Sequence, residues 1–162
     1  MTVKTHIAFK DFLSFNLKSS LPRMVIFTVL MVVVLILNFN NNDFNTQELY
    51  KSVIISTVLV FVFMAVRSYF RMKTIYNSNQ KIQEEIIYTF TDEKVETKGE
   101  TFESDFLWSS VHRVKENNDW FLIYQSKTTM NMVPKKYFSE NEITELRKMI
   151  KNSGVKAKLL NQ

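Results

Sequence analysis

The chain contains no cysteine and, in 162 residues, only two glycines, two prolines and two histidines. The missing cysteine removes disulfides, thiolate nucleophiles and Cys-based metal sites, and it suits a reducing compartment. The two glycines, Gly99 and Gly154, lie too far apart in sequence to form a glycine-rich phosphate loop. His6 and His112 lie far apart, and neither has a second histidine near it. Both read as ordinary surface or packing residues, so no metal or other cofactor is expected.

Negative charge is scarce in the first half. Residues 1–81 carry nine Lys or Arg against three Asp or Glu, a balance of +6, while residues 82–162 carry twelve against thirteen, a balance of −1. The net +5 therefore sits around the N-terminal half and not on a basic domain, which argues against nucleic acid as a partner.

Charge is missing altogether from two stretches. Met24 to Asn42 is uncharged for nineteen residues, close to the length that crosses a hydrocarbon core of about 30 Å at about 1.5 Å per residue. Ser52 to Val66 is uncharged for fifteen residues and is extended by flanks that can reach the interface. Arg23, Lys51, Arg67 and Arg71 can snorkel, and Tyr50, Tyr69 and Phe70 suit an interfacial belt. A soluble helix keeps a polar face, and these segments have none. No small-residue cleavage site follows the first, as a signal peptide would require. A transmembrane hairpin is expected, with spans at about 24–42 and 50–70.

Lys4, Lys10, Lys18 and Arg23 precede the hairpin, and Arg67, Arg71, Lys73 and Lys81 follow it. The connecting loop, Asn38 to Tyr50, has Asp43 and Glu48 but no Lys or Arg. The positive-inside rule then puts both termini in the cytoplasm and the loop outside. Residues 1–23 read as a cytosolic segment whose Phe9, Phe12, Leu13 and Leu17 group on one helix side, either as an interfacial helix or as a short cytosolic one.

After a polar connector, residues 71–83, the pattern becomes alternating, and residues 84–154 read as a domain followed by a tail, 155–162. Strands are expected at Ile86 to Phe90, Lys94 to Lys98, Phe102 to Phe106, Trp120 to Tyr124 and Thr129 to Val133, with apolar continuity through Val111 and Val114. Asn117 to Asp119 form a turn, and Pro134 ends a strand because it lacks an N–H. Ser139 and Glu142 have capping-box spacing ahead of Ile143, Leu146, Met149 and Ile150, and Gly154 is a helix stop. The fold class is membrane α+β: a two-helix hairpin and a small antiparallel β domain of five or six strands closed by a C-terminal helix.

The order of these features, with the W-x-x-V of Trp108 to Val111, the hairpin Asn117 to Tyr124, the V-P-K-K of Val133 to Lys136 and Phe138, resembles the bacterial YcxB-like membrane proteins. That resemblance implies a pleckstrin-homology-like (PH-like) cytosolic domain and a multi-pass protein of the bacterial inner membrane. It implies no catalytic residue and no ligand.

A membrane-anchored, non-enzymatic binding or regulatory protein is the expected function, with a protein or an anionic lipid as partner. Arg113, Lys115, Lys127, Lys135 and Lys136 are the candidate contacts, although Lys135 and Lys136 read more readily as a solvated turn between strand and helix. Trp108 and Trp120 read more readily as packing than as ligand contacts. The alternative is an immunity protein that binds a cognate secreted toxin, with the loop Asn38 to Gln47 as one contact. An enzyme is not expected, because Glu84, Glu85, Asp92, Glu93 and Glu96 read as turn and exposed strand residues away from apolar groups that would perturb them. A channel is disfavoured by the lack of an ionisable residue inside either span. A homo-oligomer stays open.

Overall fold

The computed structural model describes residues 1–39 and 46–160. The chain forms two compact units, one from Met1–Ile7 with Gln80–Gln162 and the other from Ala8–Asn79. The central part of the outward loop expected above, residues 40–45, lies outside the described residues.

In the second unit, α1 (Phe9–Phe39) and α2 (Thr46–Ser78) pack against each other. Both contain stretches long and apolar enough to cross a membrane, within Phe9–Leu37 and Tyr50–Ser78. Their large apolar side chains point outward, with Ile26 60%, Leu59 63% and Phe63 64% exposed. Both helices run well past the uncharged stretches. Phe9 lies edge-on to Tyr69 and Tyr76, and Phe12 is tilted against Tyr76, with ring centroids 5.4–5.9 Å apart. The apolar face expected to mark an interfacial helix thus belongs to α1 itself, and two of its residues close the end of the hairpin.

The first unit is a β domain. Its N-terminal strand β1 (Thr2–His6) was not anticipated, and residues 1–23 accordingly divide between this strand and α1. Val3, Thr5 and Ile7 point inward while Thr2 and Lys4 are exposed, a period-2 pattern too short to register beside the apolar runs. β1 pairs antiparallel with β2 (Glu85–Phe90), Val3 opposite Tyr88 and His6 opposite Glu85. A short helix α3 (Gln80–Gln83) precedes β2. The helical hairpin is therefore an insertion between the first two strands of one sheet.

β3 (Lys94–Lys98) and β4 (Glu103–Leu107) complete the first sheet in the order β1-β2-β3-β4. A second sheet, ordered β7-β6-β5-β8, holds β5 (Arg113–Glu116), β6 (Trp120–Tyr124), β7 (Met130–Pro134) and the short β8 (Ala157–Lys158). The expected five or six strands become eight because β1 and β8 come from segments read as flanks. β8 runs parallel to β5, a pairing that two residues cannot announce in sequence.

Trp108 turns the chain between the sheets. It starts a 3-10 turn after β4, its indole N–H donates to the Thr91 carbonyl at 2.8 Å, and the Val111 N–H returns to its own carbonyl at 3.0 Å. Its ring stacks near Phe90, and both are buried in a core that joins Tyr88 and Val95 of one sheet to Phe121, Ile123 and Val133 of the other. α4 (Glu140–Asn152) adds Leu146 and Ile150 to that core. Its capping box forms as expected from Ser139 and Glu142, and Gly154 takes the left-handed φ of +74°.

Both tryptophans lie in the β domain, so tryptophan fluorescence, excited apart from the tyrosines of α2, reports on its unfolding alone. Val3→Asp puts an unpaired carboxylate at a site 5% exposed, opposite Tyr88. A cost of about 3 kcal/mol or more is expected, which lowers the fluorescence-monitored Tm by on the order of 10 °C for a domain of this size. Lys4→Gln, which loses only the exposed Lys4–Glu85 pair, should change it little. Equal effects of the two substitutions would mean that β1 does not stabilise the sheet.

Candidate functional site

Alternation along β5 puts Glu116 on the same face as Val114, toward the core. Its carboxylate is fully buried and is met by three donors from distant elements. Arg147 on α4 reaches it through Nε at 2.9 Å and Nη2 at 2.7 Å. Lys135, in the 3-10 turn after β7, donates at 2.6 Å, and the Leu160 backbone N–H donates at 3.1 Å. Burial by itself would raise the Glu116 pKa, but the bonds from Arg147, Lys135 and Leu160 outweigh it and hold the carboxyl below its ordinary range. Two cations on one carboxylate leave a net positive charge on the cluster.

Arg147 also lines a groove of about 590 Å³ between α4 and the C-terminal segment, with Thr144, Lys148, Lys151, Asn152, Leu159 and Leu160. Residues 144, 147, 148 and 151 fall on one side of α4 by helical spacing. Lys148 and Lys151 are exposed, and no acidic side chain lines the groove among the described residues. The groove can therefore attract an anionic group, with Leu159 and Leu160 offering an apolar wall.

Glu84 requires a correction, since it is buried at 6% exposure and not at an exposed turn. Its carboxylate accepts from the Thr101 hydroxyl and from the N–H groups of Thr101 and Glu100, at 3.0 and 2.7 Å. These bonds, that of the Thr101 hydroxyl first, lower its pKa. The close approach explains Gly99, where a Cβ would lie 2.5 Å from both a Glu84 oxygen and the Phe102 ring.

The five basic positions singled out above do not form one patch. Lys135 is spent on Glu116. Arg113 stacks on its cross-strand partner Tyr124, 4.4 Å from the ring centre, and its buried Nε has no hydrogen-bond partner among the described residues. Lys115 shares that face of β5 and is exposed. Lys127 and Lys136 sit on turns at opposite ends of β7, separated by a strand of about 17 Å. Lys136 lies over the Tyr137 ring at 5.0 Å.

Of the membrane-flanking residues, Lys51 pairs with Glu48 at 3.0 Å and Tyr69 packs edge-on against Phe9 and Phe70. Arg23, Arg67 and Arg71 are exposed on the helices. Glu116, Arg147, Lys148 and Lys151 were not singled out from sequence. The available signal was a carboxylate at the inward parity of β5, which demands a buried cation somewhere in the chain.

The model of a family described as YcxB-like protein matches residues 90–150, so the chain is similar to that family from the end of β2 into the last turns of α4. The matched stretch holds the Trp108 turn, the Asn117–Tyr124 hairpin, Lys135, Glu116 and Arg147, and leaves out β1 and the helical hairpin. No curated protein and no solved structure matches the chain.

Glu116→Ala leaves Lys135 and Arg147 without their anion, 11% and 14% exposed, and should cost about 3–5 kcal/mol. Acid should act in the same direction. The lowered pKa values of Glu116, Glu84 and Glu142 contribute stability that is fully present above the ordinary value of 4.5 and lost as pH falls through the native values. The tryptophan-monitored Tm should be flat from pH 7 to about 5.5 and drop below 4.5. Glu116→Gln should start lower and drop less; an unchanged acid limb in that variant would contradict the role given to Glu116.

Proposed function

We propose that the chain is a membrane-anchored, non-enzymatic binding protein, multi-pass in a bacterial inner membrane, whose cytoplasmic β domain receives an acidic segment of a protein partner in the α4 groove. The observation that carries this reading is the groove itself. Lys148 and Lys151 face it with no acidic side chain in its lining among the described residues, beside the buried cluster of Arg147, Lys135 and Glu116, whose net charge is positive. A segment with carboxylates and one apolar side chain would complement both the lysines and Leu159 and Leu160.

The topology is supported by connectivity and charge. β1 and β2 are neighbours in one sheet although α1 and α2 lie between them, so both ends of the hairpin must return to one side. That side carries Lys4, Lys10, Lys18, Arg23, Arg67, Arg71, Lys73 and Lys81, as expected for the cytoplasm. The outward apolar side chains of both helices suit a lipid surround. Two four-stranded sheets closed by one helix support the PH-like reading of the domain.

The non-enzymatic reading is supported by the state of the buried carboxylates. Glu84 and Glu116 are saturated with donors and shifted toward the ionised form, the opposite of what a general acid near neutrality requires.

A photo-reactive amino acid placed at Thr144 of the full-length protein in its native membrane tests the groove. A discrete protein adduct is expected, and Lys148→Glu with Lys151→Glu should abolish it. An adduct indifferent to charge reversal, or none, would remove the support for this site. For topology, a reporter active only outside the cytoplasm and fused after Gln162 should stay silent, and activity there would invert the orientation.

A further inference from the structure

A second cleft lies within the helical hairpin. Asn16, Ser20 and Met24 line it from α1, and Met64, Arg67, Ser68, Arg71 and Met72 line it from α2, around a volume of about 360 Å³. Successive spacings of four on α1, and of three, one, three and one on α2, put each set on a single helix face. No carboxylate contributes, and neither Arg67 nor Arg71 has an ion pair among the described residues.

The cleft is graded along the helices. Met24 and Met64 lie at one end, within or bordering the uncharged stretches, and Asn16, Arg71 and Met72 lie at the other. Arg67 is the first charge after Ser52–Val66, and Arg23 is the last before Met24–Asn42, so the graded part straddles the boundary between apolar and polar surroundings. Eight residues of helix cover about 12 Å, more than one headgroup layer of roughly 5–8 Å. Pro22 falls in the α1 turn between Ser20 and Met24 and withholds one helix hydrogen bond there.

We infer that this cleft binds the phosphate of an anionic phospholipid. Arginines four apart on one face, with about 6 Å between them along the axis, can both direct guanidinium N–H groups at one phosphodiester. Ser68 supplies a hydroxyl beside it, and Ser20, whose hydroxyl donates to the Leu17 carbonyl at 3.2 Å, leaves its oxygen facing the cleft as an acceptor only. The methionines at the membrane end give flexible apolar contact to the start of an acyl chain. A soluble phosphate would use only the polar half of this lining, whereas a lipid uses both halves. The site is separate from the α4 groove, but it rests on the proposal that α1 and α2 span a bilayer.

The test uses the full-length protein in detergent, observed by native mass spectrometry with phosphatidylglycerol, phosphatidylcholine or inorganic phosphate added. Phosphatidylglycerol should be retained in preference to phosphatidylcholine. Retention should fall about thirtyfold in R67Q/R71Q, at roughly fivefold per cation at an anionic surface. It should be partly restored in R67K/R71K and unchanged in K51Q, on α2 but outside the cleft. Equal retention by R67Q/R71Q, or equal binding of the zwitterionic lipid, overturns the site. Arginine-dependent binding of inorganic phosphate without lipid adducts overturns the lipid as ligand. Alkaline carbonate extraction of native membranes separates the two readings: wild type and R67Q/R71Q should both stay in the membrane, and release of the wild type overturns the spanning hairpin and this site with it.

Discussion

The hydrogen-bonded ladder between β1 and β2 is the constraint on which the rest of the molecule depends. It joins residues 2–6 to 85–89 across the whole helical hairpin, and it supplies the inward row of Val3 and Thr5 beside Ile86 and Tyr88. The entropic cost of so long an insertion is modest, since each doubling of loop length adds only about 0.6 kcal/mol. It is reduced further because the insertion closes on itself. Phe9 and Phe12 meet Tyr76, so the first turn of α1 and the end of α2 are held together by aromatic contacts. An insertion whose ends already lie close imposes little strain on the strands that flank it.

Within the β domain, apolar burial and ionic placement have different roles. Phe90, Trp108, Phe121, Leu146 and Ile150 remove most of their surface from water, and that is where the main stabilisation arises. The buried cluster at Glu116 contributes position more than net energy, because desolvating three charged groups offsets much of their attraction. Its partners come from β5, the turn after β7, α4 and the C-terminal segment. One carboxylate thereby fixes where the helix and tail lie, and with them the walls of the basic groove.

Features with local signals were legible in the sequence. The Asn117–Asp119 turn is written in its side chains, Asn117 Oδ1 accepting from the N–H groups of Asp119 and Trp120. The capping box of α4 and the stop at Gly154 were likewise readable, as was the hairpin from its uncharged runs. β1 was not, because five residues alternating Thr, Val, Lys, Thr and His carry little weight without knowledge of the strand they meet 80 residues later. Glu84 was misread because its burial depends on a close approach that Gly99 permits, a tertiary fact without local trace. Arg147 and Lys135 carry no local mark of burial, and only the inward parity of Glu116 hints at it.

The split β domain has a bearing on biosynthesis. β1 leaves the ribosome before the helical hairpin and then waits, unpaired, while both helices are made, since its hydrogen-bonding partner follows the second of them. In a bilayer, a hairpin whose second helix failed to return would strand β1 and β2 on opposite faces of the membrane. The first sheet could not form, and apolar residues such as Tyr88 and Phe90 would be left uncovered for quality control to find. On the proposed topology, completion of one small sheet would certify that both membrane crossings were made.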